Sequence, residues 1–150
     1  MTSYEAIFRR RSIRKYKNDE ISPAMLEKIE KFGEDAIGIR PDIQVKWKIF
    51  RKEEHQLKGL FRVDAPYYVA LYSEICEDYR KNAGCLMEQL SLYLFTKGIG
   101  SCYQLLQFNP PKILIRALQR FCRIPKCHDH DQLQIFLLVF FKLCTSLITA

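Results

Sequence analysis

Six cations crowd into the stretch between Arg9 and Lys17: Arg9, Arg10, Arg11, Arg14, Lys15 and Lys17, interrupted by Ser12, Ile13 and Tyr16. Guanidinium groups bind phosphate through paired hydrogen bonds, and a serine hydroxyl adds a directed donor. The cluster falls where a helical pattern gives way to an extended one, so it can serve as an anion cradle. On the residues alone it can equally be a solvated basic face or a nucleic-acid patch. A second basic stripe, Lys112, Arg116 and Arg120, recurs at helical spacing and keeps the nucleic-acid reading open, although such stripes usually face solvent.

Other chemistries find less support. The three histidines, His55, His128 and His130, fall in segments that read as loops, and neither a Ser-His-Asp arrangement nor a carboxylate pair is in view. The six cysteines include no Cys-x-x-Cys, which suits a reducing compartment better than a disulfide framework. Cys122, Cys127, His128 and His130 match no zinc template, and no metal is expected. Gly98-Ile-Gly100 follows a helix rather than a strand and lacks the third glycine of a dinucleotide-binding loop.

The elements that must carry these residues are readable from periodicity. Tyr4, Ile7 and Phe8 predict a short helix, packed by one face, from Ser3 to about Arg11. Ser22-Pro23 opens a second helix with the stripe Leu26, Ile29 and Phe32, for which Gly33 offers a stop. Ile43, Val45, Trp47 and Ile49 alternate with polar residues as in a half-buried strand, and Tyr67 to Tyr72 reads as an interior strand. Leu86, Leu90, Tyr93 and Leu94 predict a long central helix from about Tyr79 to Lys97, ended by Gly98. A third strand over Ile99 to Leu106 and a helix over Ile113 to Phe121 follow, separated by Asn109-Pro110-Pro111.

A chain of 150 residues with 48% hydrophobic and 27% charged residues is expected to form one domain, 1–150, with a genuine core. Its net charge of +7 favours an anionic partner: nucleic acid, an acidic membrane surface or a phosphorylated cofactor. The first eleven residues hold no apolar run of secretory type, so a cytoplasmic location is expected. The stretch from Leu133 to Ala150 is largely apolar, but Gln134 and Lys142 cut it below the roughly 20 residues that span a bilayer. A buried strand is the reading, with no membrane partner.

Tyr4-Glu-Ala-Ile-Phe-Arg-Arg-Arg-Ser-Ile-Arg-Lys-Tyr16, followed by a Ser-Pro-capped helix, resembles the N-terminal signature of the nitroreductase family. Asp64 to Tyr72, Asn82-Ala-Gly84 and Gly98-Ile-Gly-Ser-Cys-Tyr-Gln104 are similar to that family's strand, core helix and flavin-side strand, so the resemblance covers about residues 3–104. It implies an α+β fold with a mixed, mainly antiparallel sheet flanked by helices, and a homodimer with the central helix in its interface. It also implies FMN as cofactor, NAD(P)H as donor, and a ping-pong reduction of a small-molecule acceptor such as a nitroaromatic or quinone. The cofactor-binding residues by resemblance are Arg10 for the phosphate, Arg11 and Ser12 for phosphate and ribityl oxygens, Arg14 for the pyrimidine edge, and Cys102, Tyr103 and Gln104 on the flavin-side strand. No side chain is assigned to catalysis, which suits a protein whose cofactor performs the electron chemistry.

The chain departs from the family pattern in three places. The Pro-Ser and Asn-x-Gln-Pro-Trp stretch after the second helix is absent. Leu105-Leu106-Gln107-Phe108 stands where a glycine-containing turn is expected, and no arginine follows Arg123. A truncated or degenerate relative with weak or no activity, even a tail read out of frame, therefore stands beside the enzyme and the nucleic-acid module.

Overall fold

The computed structural model describes residues 1–16, 20–51, 65–104 and 133–142. Helix α1 spans Ser3–Arg9, α2 Pro23–Asp35 and α3 Tyr79–Thr96. The strands are β1, Val45–Arg51; β2, Tyr67–Glu74; β3, Ile99–Gln104; and β4, Leu133–Lys142.

A capping box nucleates α1. The Thr2 hydroxyl accepts the Glu5 N–H at 3.2 Å and the Glu5 carboxylate accepts the Thr2 N–H at 2.8 Å, satisfying two donors that a helix start leaves bare. The helix stops at Arg9, two residues before the expected end, because Arg10 turns to an extended conformation with ψ 133°. Helix α2 starts at Pro23 behind Ser22 as expected, but runs past Gly33 to Asp35. Gly33 is no stop. It is the point at which the Trp47 ring passes over the helix, near enough that an added Cβ would stand 3.1 Å from Cγ of the indole. Helix α3 ends where the sequence places its stop, with Gly98 at φ +74°, a left-handed turn that glycine adopts without steric cost.

The strands form one sheet in the order β1-β2-β4-β3, and each of its three pairings is antiparallel. The tail strand β4 lies inside the sheet, with Leu137 opposite Ala70 of β2 and Gln104 of β3. β2, buried from Tyr67 to Ser73, is the apolar run expected of an interior strand. Helix α3 sets Leu86, Leu90 and Leu94 one turn apart into the core formed with Val69, Leu71 and Ile29. Each such side chain stabilises the fold by about 1.5–3 kcal/mol. Phe32 of α2 stacks on Tyr93 of α3 with ring centroids 4.1 Å apart and ties the two helices together. Among the described residues no helix is long and apolar enough to cross a membrane.

The helix expected over Ile113 to Phe121, the Lys112, Arg116, Arg120 stripe, the Cys122, Cys127, His128, His130 group, and His55 lie outside the described residues.

Candidate anion and cofactor site

The end of α1 decides where the basic segment goes. Having left the helix at Arg10, the chain runs extended beside β3, and the Ile13 N–H donates to the Ser101 carbonyl at 3.0 Å. This bond brings together two candidate groups some ninety residues apart in sequence: Arg10, Arg11, Ser12 and Arg14 on one side, Cys102, Tyr103 and Gln104 on the other. The side chains sort by burial. Arg10, Ile13 and Tyr16 are half-buried, whereas Arg11, Ser12 and Arg14 are exposed.

Arg10 turns toward α3. Its Nε donates to Glu88 Oε1 at 3.1 Å and its Nη2 to Oε2 at 3.5 Å, while its guanidinium lies 5.5 Å from the Tyr103 ring centroid. The Tyr103 hydroxyl donates to the same Glu88 Oε2. Its acidity is suppressed: partial burial, then the hydrogen bond to Glu88 and the carboxylate's charge, raise the phenol well above its ordinary value. Arg10 Nη1 is buried with no hydrogen-bond partner. Leaving such a donor unmet costs about 1–3 kcal/mol, so an acceptor supplied by a ligand would be rewarded.

Tyr16 closes the other end of the segment. Its hydroxyl donates to the Ile13 carbonyl and lies 3.4 Å from Cys102 Sγ, and burial followed by the Cys102 thiol pushes its pKa above the ordinary phenol range. Cys102 is itself buried beneath it, so any contact it offers a ligand comes from its backbone. Gln104 closes β3, but its side chain lies outside the described residues. Ser91 of α3 and Ser101 of β3 share a buried hydrogen bond of 3.0 Å, satisfying both hydroxyls and pinning helix to strand beneath the site.

Beside this runs the loop after α2. Asn82 Oδ1 accepts the Arg40 N–H at 2.9 Å, and Gln89 Nε2 donates to the Ile37 carbonyl at 2.9 Å. The loop is thereby clamped to α3 with Ile37 and Ile39 exposed. Asn82 belongs to the Asn82-Ala-Gly84 motif, whereas Glu88 and Gln89 carry no expectation from the sequence, where the only signal they offer is polarity beside the apolar stripe of a helix.

Arg11, Ser12 and Arg14 make no hydrogen bond or ion pair among the described residues. With the unmet Arg10 Nη1 they form a donor set suited to a phosphorylated ligand. An antiparallel sheet, a long helix packed against it and a donor-rich segment along one strand define an α+β protein with a basic segment beside its sheet. The family model described as "Putative TM nitroreductase" matches residues 2–124, and the chain belongs to that family, which makes it an oxidoreductase. The match reaches twenty residues beyond the motifs that end at Gln104.

Solved structures share the fold. A nitroreductase family protein from Clostridium novyi NT superposes with a TM-score of 0.72 at 22% identity, covering 97% of this chain and 87% of that one. An FMN-dependent nitroreductase from Clostridium difficile R20291 gives 0.67 at 18% identity, with 92% and 86% covered. A nitroreductase with bound FMN from Bacteroides fragilis NCTC 9343 gives 0.67 at 17% identity, with 95% and 88% covered. No curated protein matches the chain.

Proposed function

We propose that the protein is an FMN-dependent oxidoreductase that takes electrons from NAD(P)H and passes them, in ping-pong order, to a small acceptor of the nitroaromatic or quinone class. The observation that carries this reading is the Ile13 to Ser101 hydrogen bond, which lays the arginine-serine segment along β3 within a nitroreductase-family fold. That the Bacteroides fragilis structure holds FMN, and that the Clostridium difficile protein depends on it, supports the choice of flavin.

In this reading Arg10, Arg11 and Ser12 hold the phosphate and ribityl oxygens, and Arg14 faces the pyrimidine edge. Cys102, Tyr103 and Gln104 line the flavin from β3. When bound, FMN supplies the two-electron relay between donor and acceptor. The chain's own part is to bind and orient it. The positive charge of Arg14 favours the anionic character that the pyrimidine gains on reduction, and the Arg10–Glu88–Tyr103 network holds the innermost arginine in place.

The same reading takes the chain as one domain acting as a homodimer in the cytoplasm, with neither nucleic acid nor membrane as partner. Tyr4, Ile7 and Phe8, expected as the packed face of α1, are exposed instead, with Ala6 buried, and Tyr4 and Phe8 lie edge to face at 5.2 Å, an apolar patch suited to a second copy. Among the described residues Cys76, Cys85 and Cys102 are free thiols.

Titrating the purified protein with FMN while following flavin fluorescence tests the cofactor, and steady-state NAD(P)H oxidation with a nitroaromatic tests the reaction. Saturation at micromolar flavin and parallel double-reciprocal lines are expected. Absence of any saturable change removes the cofactor, and salt-dependent binding of generic DNA without flavin would put the nucleic-acid module in its place.

A further inference from the structure

We infer that Glu88 is a specificity-setting positioning residue, which acts through Arg10 to limit how strongly the site prefers a flavin carrying a terminal phosphate over one without it. The inference rests on the flavin reading above. Its physical basis is how Arg10 spends its donors. Nε and Nη2 are engaged by the Glu88 carboxylate at 3.1 and 3.5 Å, and only Nη1 is left without an acceptor.

A phosphate that reaches Arg10 must uncover the buried Nη1 and contest Nη2 with a carboxylate already in place. It also approaches a guanidinium whose charge is already opposed by that carboxylate. The pair is only partly wet, with the Arg10 and Glu88 side chains 17% and 43% exposed, so the opposition is not fully screened. Tyr103 moderates it. By donating to Glu88 Oε2, its hydroxyl takes up part of the carboxylate's acceptor capacity that would otherwise fall on Arg10.

Glu88 touches the phosphate only through the arginine, so its effect belongs to the phosphate and not to the isoalloxazine ring. Riboflavin, which has the ring and lacks the phosphate, separates the two. The quantity to read is the ratio of the riboflavin dissociation constant to that of FMN, from fluorescence titration of the flavin-free protein. Glu88→Gln keeps the shape and a neutral acceptor for Arg10 Nε while removing the charge, and it should raise that ratio about tenfold, the worth of one partly screened charge near the phosphate.

Tyr103→Phe should move the ratio the opposite way, by about threefold, because the carboxylate then presses wholly on Arg10. Any loss of ring contact at Tyr103 affects both flavins and cancels in the ratio. Opposite shifts in the two variants sustain the inference. An unchanged ratio in Glu88→Gln, or a lower one, overturns it while leaving the flavin reading intact. If neither FMN nor riboflavin binds the parent protein, the flavin reading falls and the inference with it.

Discussion

Gly38→Ala tests whether the loop after α2 is held against α3 by close packing. A Cβ built on Gly38 would lie 2.0 Å from Asn82 Oδ1 and 2.8 Å from Asn82 Cγ, well inside contact distance, so one of the two must move. Asn82 is buried, and its Oδ1 accepts the Arg40 N–H. If Asn82 turns away, that hydrogen bond is lost and polar groups are left unpaired in a dry setting, at a cost of about 1–3 kcal/mol. If the loop lifts instead, the Gln89 to Ile37 bond goes too, at about 0.5–1.5 kcal/mol, and overpacking strain adds about 1–3 kcal/mol to either route. The expected loss with Asn82 displaced is therefore about 2–6 kcal/mol, a large part of the stability of a single domain. Urea denaturation should show a lower midpoint with an unchanged slope. Gly84→Ala is the internal control: nothing lies within 4 Å of its built Cβ, and it occupies an exposed helical position, so it should stabilise by about 0.5–1 kcal/mol. A Gly38→Ala protein within about 0.5 kcal/mol of the parent would refute the packing argument.

Arg10→Ala should weaken FMN binding by about 1.5–3 kcal/mol, the range for a hydrogen bond to a charged group, with Lys giving only partial rescue; unaltered affinity by fluorescence titration would place the phosphate elsewhere. Tyr16 and Tyr103 are both held neutral in the fold, so their contribution to stability is complete below the unfolded phenol value of about 10 and is lost as pH climbs through the raised values. Tyrosinate absorbance of the native protein should accordingly lag that of the urea-unfolded chain on alkaline titration, and coincident curves would contradict it. Leu138→Pro removes a backbone donor from β4 between two paired strands and should cost about 3 kcal/mol or more, read by circular dichroism as lost sheet; a folded variant of parental stability would mean that β4 is dispensable.

What the sequence made legible was local chemistry with a fixed geometry. Ser22-Pro23 starts a helix because the serine precedes a residue whose φ is already helical, and Gly98 ends one because a left-handed turn follows. The Thr2-x-x-Glu5 box, which was not among the expectations, depends only on a three-residue spacing. Gly33 misled because a glycine in a helical pattern signals either a stop or a close approach, and only Trp47, fourteen residues away in another element, decides between them. The partner of Arg10 was out of reach for the same reason. Helical periodicity reports which residues of α3 face the core, but not which of its polar flanks meets an arginine 78 positions earlier.

The tail gives the sharpest case of sequence and structure weighing a segment differently. Read as a sequence, residues from Leu105 onward lack the glycine and late arginines that the family pattern supplies to the phosphate site, so the segment looks unable to serve the cofactor directly. In the fold its strand has another task. β3 presents Ser101 to Ile13 on one side, and on the other it pairs with β4 from Ile99, opposite Lys142, to Gln104, opposite Leu137. β4 in turn is β3's link to β2, because no pairing joins β2 and β3 directly. The strand along which the arginine segment lies is thus held in the sheet by the tail. Apolar residues suit such a strand, because a place between two neighbours rewards a continuous hydrophobic run and needs no charge. Substitutions in β4 should therefore reach the flavin through the position of β3, lowering affinity for FMN and riboflavin alike, whereas changes at Arg10 or Glu88 should discriminate between the two. A β4 variant that folds and yet alters the FMN-to-riboflavin ratio would break that separation.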